Sequence, residues 1–322
     1  MKVFKKMYIF IFFVVSTALF FNGCGSTDKI KSVSKTKENA KVRVLTKTLR
    51  IESGIKRIFA RISFPDDGAK HPAVICSHGY NGIADDFMQD CFFYAQNGFV
   101  ALAFDFSGGS TRSRSKGNST DMTLFTEKED LLTVFDYIKN REDVDSHKIF
   151  LMGGSQGGMV TALAAEELQN AVCGLALYYP AFCIPDDWRK SYPTLDKVPP
   201  VFDFWGLQLG RGFVEAVHEF NTFDSVGLYN GKVLIIHGDN DQIVPLSYSQ
   251  TAVEKYENAE LIVLKGEGHG FSPNAAESAR KSVLDFMNKV LSSEIEIKAA
   301  DWRTLVFALE IEHMTGKKVH ES

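Results

Sequence analysis

Short, almost continuously apolar runs recur along the chain at 73–77, 100–104, 148–152, 172–178, 233–236 and 260–264. That texture predicts strands buried on both faces. Between them, 85–96, 124–140, 156–168, 247–256 and 274–291 read as helices. Two segments ahead of these, 42–51 and 56–64, predict an opening antiparallel pair joined through Ser53-Gly54. The alternation predicts an α/β fold: a mostly parallel sheet with helices on both faces. The rhythm breaks once, over 180–230, where Phe182, Trp188, Tyr192, Phe202, Phe204, Trp205, Phe213, Phe220 and Phe223 accumulate. A connection of this length is functional or disordered. Its aromatic content argues for a folded cap.

The two ends differ from this body. Lys2, Lys5 and Lys6 precede an apolar run at 7–21. As a helix that run spans roughly 22 Å, short of the ~30 Å hydrocarbon core, so a secretory signal fits better than a membrane span. It ends in Phe21-Asn22-Gly23-Cys24. A small residue before Cys resembles a bacterial lipobox, with Phe21 where that pattern has Leu. The resemblance implies a signal peptide over 1–24, lipidation at Cys24 and export to the extracytoplasmic face of a membrane. Residues 25–40 are polar and read as a tether. At the other end, 293–322 is expected to be a helical extension. Trp302, Leu305, Val306, Leu309 and His313 fall on one face, with Asp301 placed to cap it and Gly316 to stop it. Docking on the body is expected, because so short a helix is marginal alone.

Composition is ordinary for a globular chain, with 45% hydrophobic and 24% charged residues among 322. The formal net charge of −4 is uneven: residues 1–50 carry +9, which leaves −13 on the remainder. An acidic body lacks the basic face a nucleic-acid partner requires. Of the five cysteines, Cys76, Cys91, Cys173 and Cys183 remain if Cys24 is lipidated. None has C-x-x-C spacing, so they read as buried thiols, and neither a metal nor any other cofactor is expected.

Candidate chemistry gathers at strand ends. The 148–152 strand runs into Gly153-Gly154-Ser155-Gln156-Gly157 and then a helix. This is G-x-S-x-G in the strand–turn–helix setting that gives the motif meaning. The glycines two residues before and after Ser155 allow a sharp turn that lifts its hydroxyl off the sheet. A serine hydroxyl needs a base, and the base needs an acid to orient it. After the next two strands come His237-Gly238-Asp239-Asn240-Asp241 and Gly266-Glu267-Gly268-His269-Gly270. His269 is the candidate base. Asp239 and Asp241 both fit the acid by spacing. After the first parallel strand, Ser77-His78-Gly79-Tyr80 offers a backbone amide at Tyr80 which, with that of Gln156, suits an oxyanion hole. His78 reads as a positioning residue.

These four motifs resemble the α/β-hydrolase family, in its order and spacing, with the hydrolase domain over 41–292 and a cap at 180–230. The resemblance implies a serine esterase that works through an acyl-enzyme, with Asp241 as the acid. Phe104-Asp105-Phe106-Ser107-Gly108, the Ser-Gln-Gly-Gly elbow and the cap are most similar to bacterial cinnamoyl (feruloyl) esterases. That likeness implies an aromatic or medium acyl ester as the small-molecule substrate. It puts Asp187, with neighbouring Trp188, near a family Asp that binds the phenolic hydroxyl. Phe213 stands near a family Tyr. Arg112, Arg114 and Lys116, on a loop longer than the family's, either attract an anionic substrate or are simply solvated. A peptidase of prolyl-oligopeptidase type shares the triad but usually carries a propeller. A thioesterase or acyltransferase would also keep it.

Overall fold

The computed structural model describes residues 42–293. The signal segment, the tether, Cys24 and the extension beyond 293 lie outside them. The opening pair forms as an antiparallel ribbon, β1 (Val44–Ser53) and β2 (Lys56–Pro65). Next come β3 (His71–Ser77), helix α1 (Met88–Gln96), β4 (Val100–Phe104), α2 (Leu124–Lys139), β5 (Val144–Gly154), α3 (Gln156–Leu168) and β6 (Gly174–Tyr178). After the cap follow β9 (Lys232–Gly238), α7 (Leu246–Lys255), β10 (Ala259–Leu264) and a last helix, α8, over 273–293.

These strands make one eight-stranded sheet in the order β1-β2-β4-β3-β5-β6-β9-β10, parallel from β4 to β10. Successive side chains on a strand face opposite ways, and the core divides accordingly. Ala73, Ile75, Leu102 and Leu151 pack with α2 and α3 through Leu131, Phe135, Val160 and Ala164. Val74, Cys76, Ala101 and Met152 pack with α1 and α8 through Cys91, Tyr94, Val283 and Met287. Burial on both faces is why the inner strands are continuous apolar runs rather than alternations; the 260–264 run departs from that expectation, since β10 is the sheet edge and leaves Val263 44% exposed. Cys76, Cys91 and Cys183 are buried thiols, and Cys173 is half-buried.

The cap contains α4 (Ile184–Ser191), a two-stranded hairpin of β7 (Val201–Phe204) and β8 (Leu207–Gly210), then α5 (Arg211–His218) and α6 (Thr222–Ser225). Trp205 and Gly206 form the two-residue turn with φ of +48° and +81°, the left-handed pair such a hairpin requires. Trp188 is the centre of the cap, with Phe202, Phe204 and Phe213 at ring separations of 5.5, 4.8 and 5.9 Å. Glu166 of α3 ties down the cap's end by accepting the Gly227 and Leu228 amides at 2.7 and 3.1 Å. Among the described residues no helix is long and apolar enough to cross a membrane.

Candidate active site

Three loops leave the same edge of the parallel strands and bring three side chains into line. Ser155 follows β5 with φ +53° and ψ −123°, a strained conformation for a residue with a Cβ. Its neighbours hold it there. Its amide donates to Tyr178 O at 2.9 Å, and its carbonyl accepts from Ala181 N at 2.9 Å. The turn closes only because Gly157 has no side chain: a Cβ there would lie 2.2 Å from His78 O and 2.4 Å from Ser77 O.

Ser155 Oγ lies 2.9 Å from His269 Nε2, and His269 Nδ1 lies 2.7 Å from Asp241 Oδ2. A carboxylate only accepts, so Nδ1 carries the proton and Nε2 is left to take one from the serine. The rings of Tyr179 and Phe271 flank the site, Tyr179 at 4.5 Å from the His269 ring and 4.7 Å from that of Phe271. The Asp241 side chain is fully buried. Burial alone pushes a carboxyl up. Here hydrogen bonds from His237 and His269 and from the Val244 and Ile243 amides prevail and hold it well below the ordinary range.

The two acids that spacing left open part company. Asp239 is exposed, and its Oδ1 accepts the Gly266 amide, closing the loop after β10 onto the loop after β9. Asp241 turns inward to His269. Sequence reasoning missed His237, which is fully buried between β9 and α7. Its Nε2 lies 3.2 Å from Asp241 Oδ2 and 3.0 Å from Val244 O, and its Nδ1 lies 2.7 Å from Ser249 Oγ. It therefore donates through Nε2 and braces the acid from behind.

The loop after β3 supplies the fourth part. Phe106 N–H donates to His78 Nε2 at 3.1 Å, so the His78 proton sits on Nδ1 and is donated to Gly79 O at 2.7 Å. Burial lowers the His78 pKa, which keeps this arrangement uncharged. The Gly79 carbonyl also accepts from Gly82 N at 3.0 Å. Across a trans peptide this leaves the Tyr80 N–H on the opposite edge. Gly79 is against the serine, since a Cβ on it would be 3.1 Å from Ser155 Cβ. Gln156 is the first residue of α3, where a helix leaves its amides without intrahelical partners. The Tyr80 side chain reaches the cap, with its hydroxyl donating to Phe204 O at 2.7 Å.

Two cap residues expected beside the substrate lie in the cap's interior. Phe213 is 2% exposed and Trp188 7%. Both pack against other cap aromatics. Asp187 is exposed on α4, and its amide donates to Cys183 O at 2.9 Å. Arg114 is not free to attract an anion. It pairs with Asp105 and Asp85 at 2.9 and 2.8 Å and lies 3.7 Å over the Phe59 ring.

A strand-end serine on a strained turn, with histidine and aspartate in hydrogen-bonded series, defines a hydrolase of the α/β-hydrolase fold. The sequence matches the prolyl oligopeptidase family over residues 85–294, and the chain belongs to that family. It is 36% identical to a non-heme haloperoxidase of Rhodococcus erythropolis over 267 residues, covering 70% of this chain and 95% of that one. Its fold is similar to that of Est1E from Butyrivibrio proteoclasticus with ferulic acid bound. The TM-score is 0.69 and the identity 27%, over 76% of this chain and 99% of Est1E. Acylamino-acid-releasing enzyme 1 of Oryza sativa subsp. japonica is 21% identical over 252 residues. The chain spans only 31–45% of the length of that enzyme and of three other curated relatives.

Proposed function

We propose that the protein is a serine carboxylesterase acting through an acyl-enzyme on esters of aromatic or medium-length acids. The observation that carries this reading is the series Ser155 Oγ–His269 Nε2, 2.9 Å, and His269 Nδ1–Asp241 Oδ2, 2.7 Å, on a strained elbow. Ser155 Oγ attacks the ester carbonyl carbon as its proton passes to His269 Nε2. The negative carbonyl oxygen is held by the Tyr80 and Gln156 amides. Collapse expels the alcohol, which takes the proton from His269. Water, giving its proton to His269, then attacks the acyl-Ser155, and the acid leaves as Ser155 recovers its proton. Asp241 keeps the imidazole in the required tautomer throughout and stabilises its cation.

The likeness to a protein that holds ferulic acid supports the acyl preference. Asp187 is the cap carboxylate proposed to read a ring hydroxyl. Lipidation at Cys24 would place the enzyme on the extracytoplasmic face of a membrane. A second reading, a serine peptidase, is favoured by the family match. A panel of p-nitrophenyl esters, methyl ferulate and aminoacyl anilides tests both. Ester turnover far above anilide turnover is expected, and the reverse order would overturn the esterase reading.

A further inference from the structure

Behind the oxyanion side of the site sits an acid that the proposed reaction does not use. Glu127 is in the first turn of α2 and is 2% exposed. Its Oε2 accepts from Gln156 Nε2 at 2.8 Å, and the same amide nitrogen lies 3.6 Å from Met122 Sδ. The other oxygen faces the loop after β4: a Cβ on Gly109 would be 3.0 Å from Glu127 Oε1 and 3.5 Å from His78 Cε1. The carboxyl is therefore wedged between the Gln156 side chain and the His78 layer that fixes the Tyr80 peptide.

We propose that Glu127 is a positioning residue for ester cleavage, holding Gln156, and with it the first amide of α3, in the oxyanion hole. This rests on the esterase reading above. Gln156 is the one residue that offers the hole an amide and sends its side chain to a buried acid. That hydrogen bond tethers the first residue of α3 to α2, directly after Ser155.

The surroundings also decide the charge that Glu127 can carry. His78, on the loop after β3, is uncharged. The Tyr80 phenol on the same loop is raised well above its ordinary range, mainly by burial. Asp130, one turn along α2, engages Lys56 of β2 at 2.9 Å and accepts the Ser107 amide at 2.7 Å. Burial outweighs the Gln156 hydrogen bond and pushes Glu127 up to about 8, with Asp130 adding to the rise. Near neutral pH Glu127 is thus an uncharged acid. Above pH 8 it becomes a carboxylate behind the two amides that must stabilise a developing negative oxygen, and turnover falls.

The test is steady-state kinetics on a p-nitrophenyl ester between about pH 6 and pH 9.5, for the wild type, Glu127→Gln, Glu127→Ala, Gln156→Ala and the Glu127→Ala/Gln156→Ala double variant. Glu127→Gln keeps the shape and cannot ionise. It should retain kcat at pH 7 and lose the fall above pH 8, which a purely structural role would not move. Glu127→Ala should lower kcat on the order of tenfold with KM nearly unchanged, since small misplacements near reacting atoms are costly. The double variant should be no worse than the poorer single. An unaltered alkaline limb in Glu127→Gln, or a kcat within about twofold of wild type in Glu127→Ala, overturns the proposal. Hydrolysis that persists in Ser155→Ala overturns the esterase reading itself, and this proposal with it.

Discussion

Gly157→Ala tests how the elbow is built. The added Cβ would stand 2.2 Å from His78 O and 2.4 Å from Ser77 O, both backbone atoms. Those distances are roughly 1 Å short of van der Waals contact. No rotamer relieves the overlap, so either the start of α3 or the end of β3 must move. The end of β3 leads into Gly79 and Tyr80, and the start of α3 carries Gln156. Relief in either direction therefore displaces one of the proposed oxyanion amides. Overpacking of this kind costs about 1–3 kcal/mol, which is roughly 2–12 °C in Tm for a domain of this size. A shift near 1 Å beside reacting atoms costs on the order of 100-fold in rate. Activity should therefore fall further than stability. Gly154→Ala is the control, since its Cβ would meet Phe87 Cζ at 3.4 Å and Tyr179 Cε2 at 3.7 Å, ordinary contacts. Thermal melts and ester kinetics on both variants decide the matter. Equal behaviour of the two, or a folded Gly157→Ala with full activity, would refute the reasoning.

Asp241→Asn should lower kcat by several orders of magnitude, because the amide imposes the wrong His269 tautomer. Asp239→Asn should cost little, and the reverse ranking in folded proteins would reassign the acid. His237→Ala leaves Ser249 Oγ and Val244 O without their buried partner and takes one of several hydrogen bonds from Asp241, and should destabilise by about 2–3 kcal/mol in denaturant titration; an unchanged midpoint contradicts its bracing role. Asp187→Ala should weaken turnover of ferulate esters more than of cinnamate esters, and equal losses would reject its contact with a ring hydroxyl. Glu127 retains its proton in the folded state up to about 8 but loses it near 4.5 when unfolded. The native state binds the extra proton between these values, so this group makes stability fall as pH rises through that window. Glu127→Gln should gain on the wild type by on the order of 4 kcal/mol from pH 4.5 to pH 8; a pH-independent difference would contradict the buried, uncharged acid.

What the sequence made legible was local. The inner parallel strands show as runs buried on both faces, the edge strand β10 keeps the apolar texture while staying partly exposed, and Ser155, Asp241 and His269 stand in the loops that follow these runs. The acid resisted spacing because Asp239 and Asp241 share one loop, and only the tertiary partners separate them: the Gly266 amide for one, His269 for the other. His237 opened the segment after the 233–236 run with no role visible there; its work depends on Ser249, on a different element. Glu127 left a signal that could have been read. It falls with Leu124, Leu131, Val134 and Ile138 on the buried stripe of α2, where an ionisable side chain is out of place. The cap was hardest, since its hairpin turns on Trp205-Gly206, not a usual turn pair, and its aromatic rings satisfy one another. That mutual packing is why Phe213 and Trp188, read from sequence as substrate contacts, belong to the cap's interior.

The central claim is that Ser155 is acylated during turnover. Rapid mixing with a p-nitrophenyl ester, followed by acid quench and peptide mass mapping, tests it directly. An acyl mass is expected on the peptide containing Ser155, formed with the first equivalent of p-nitrophenol and absent in Ser155→Ala, which should also be inactive. Hydrolysis by Ser155→Ala at the wild-type rate, or an acyl group found on another residue, would contradict it.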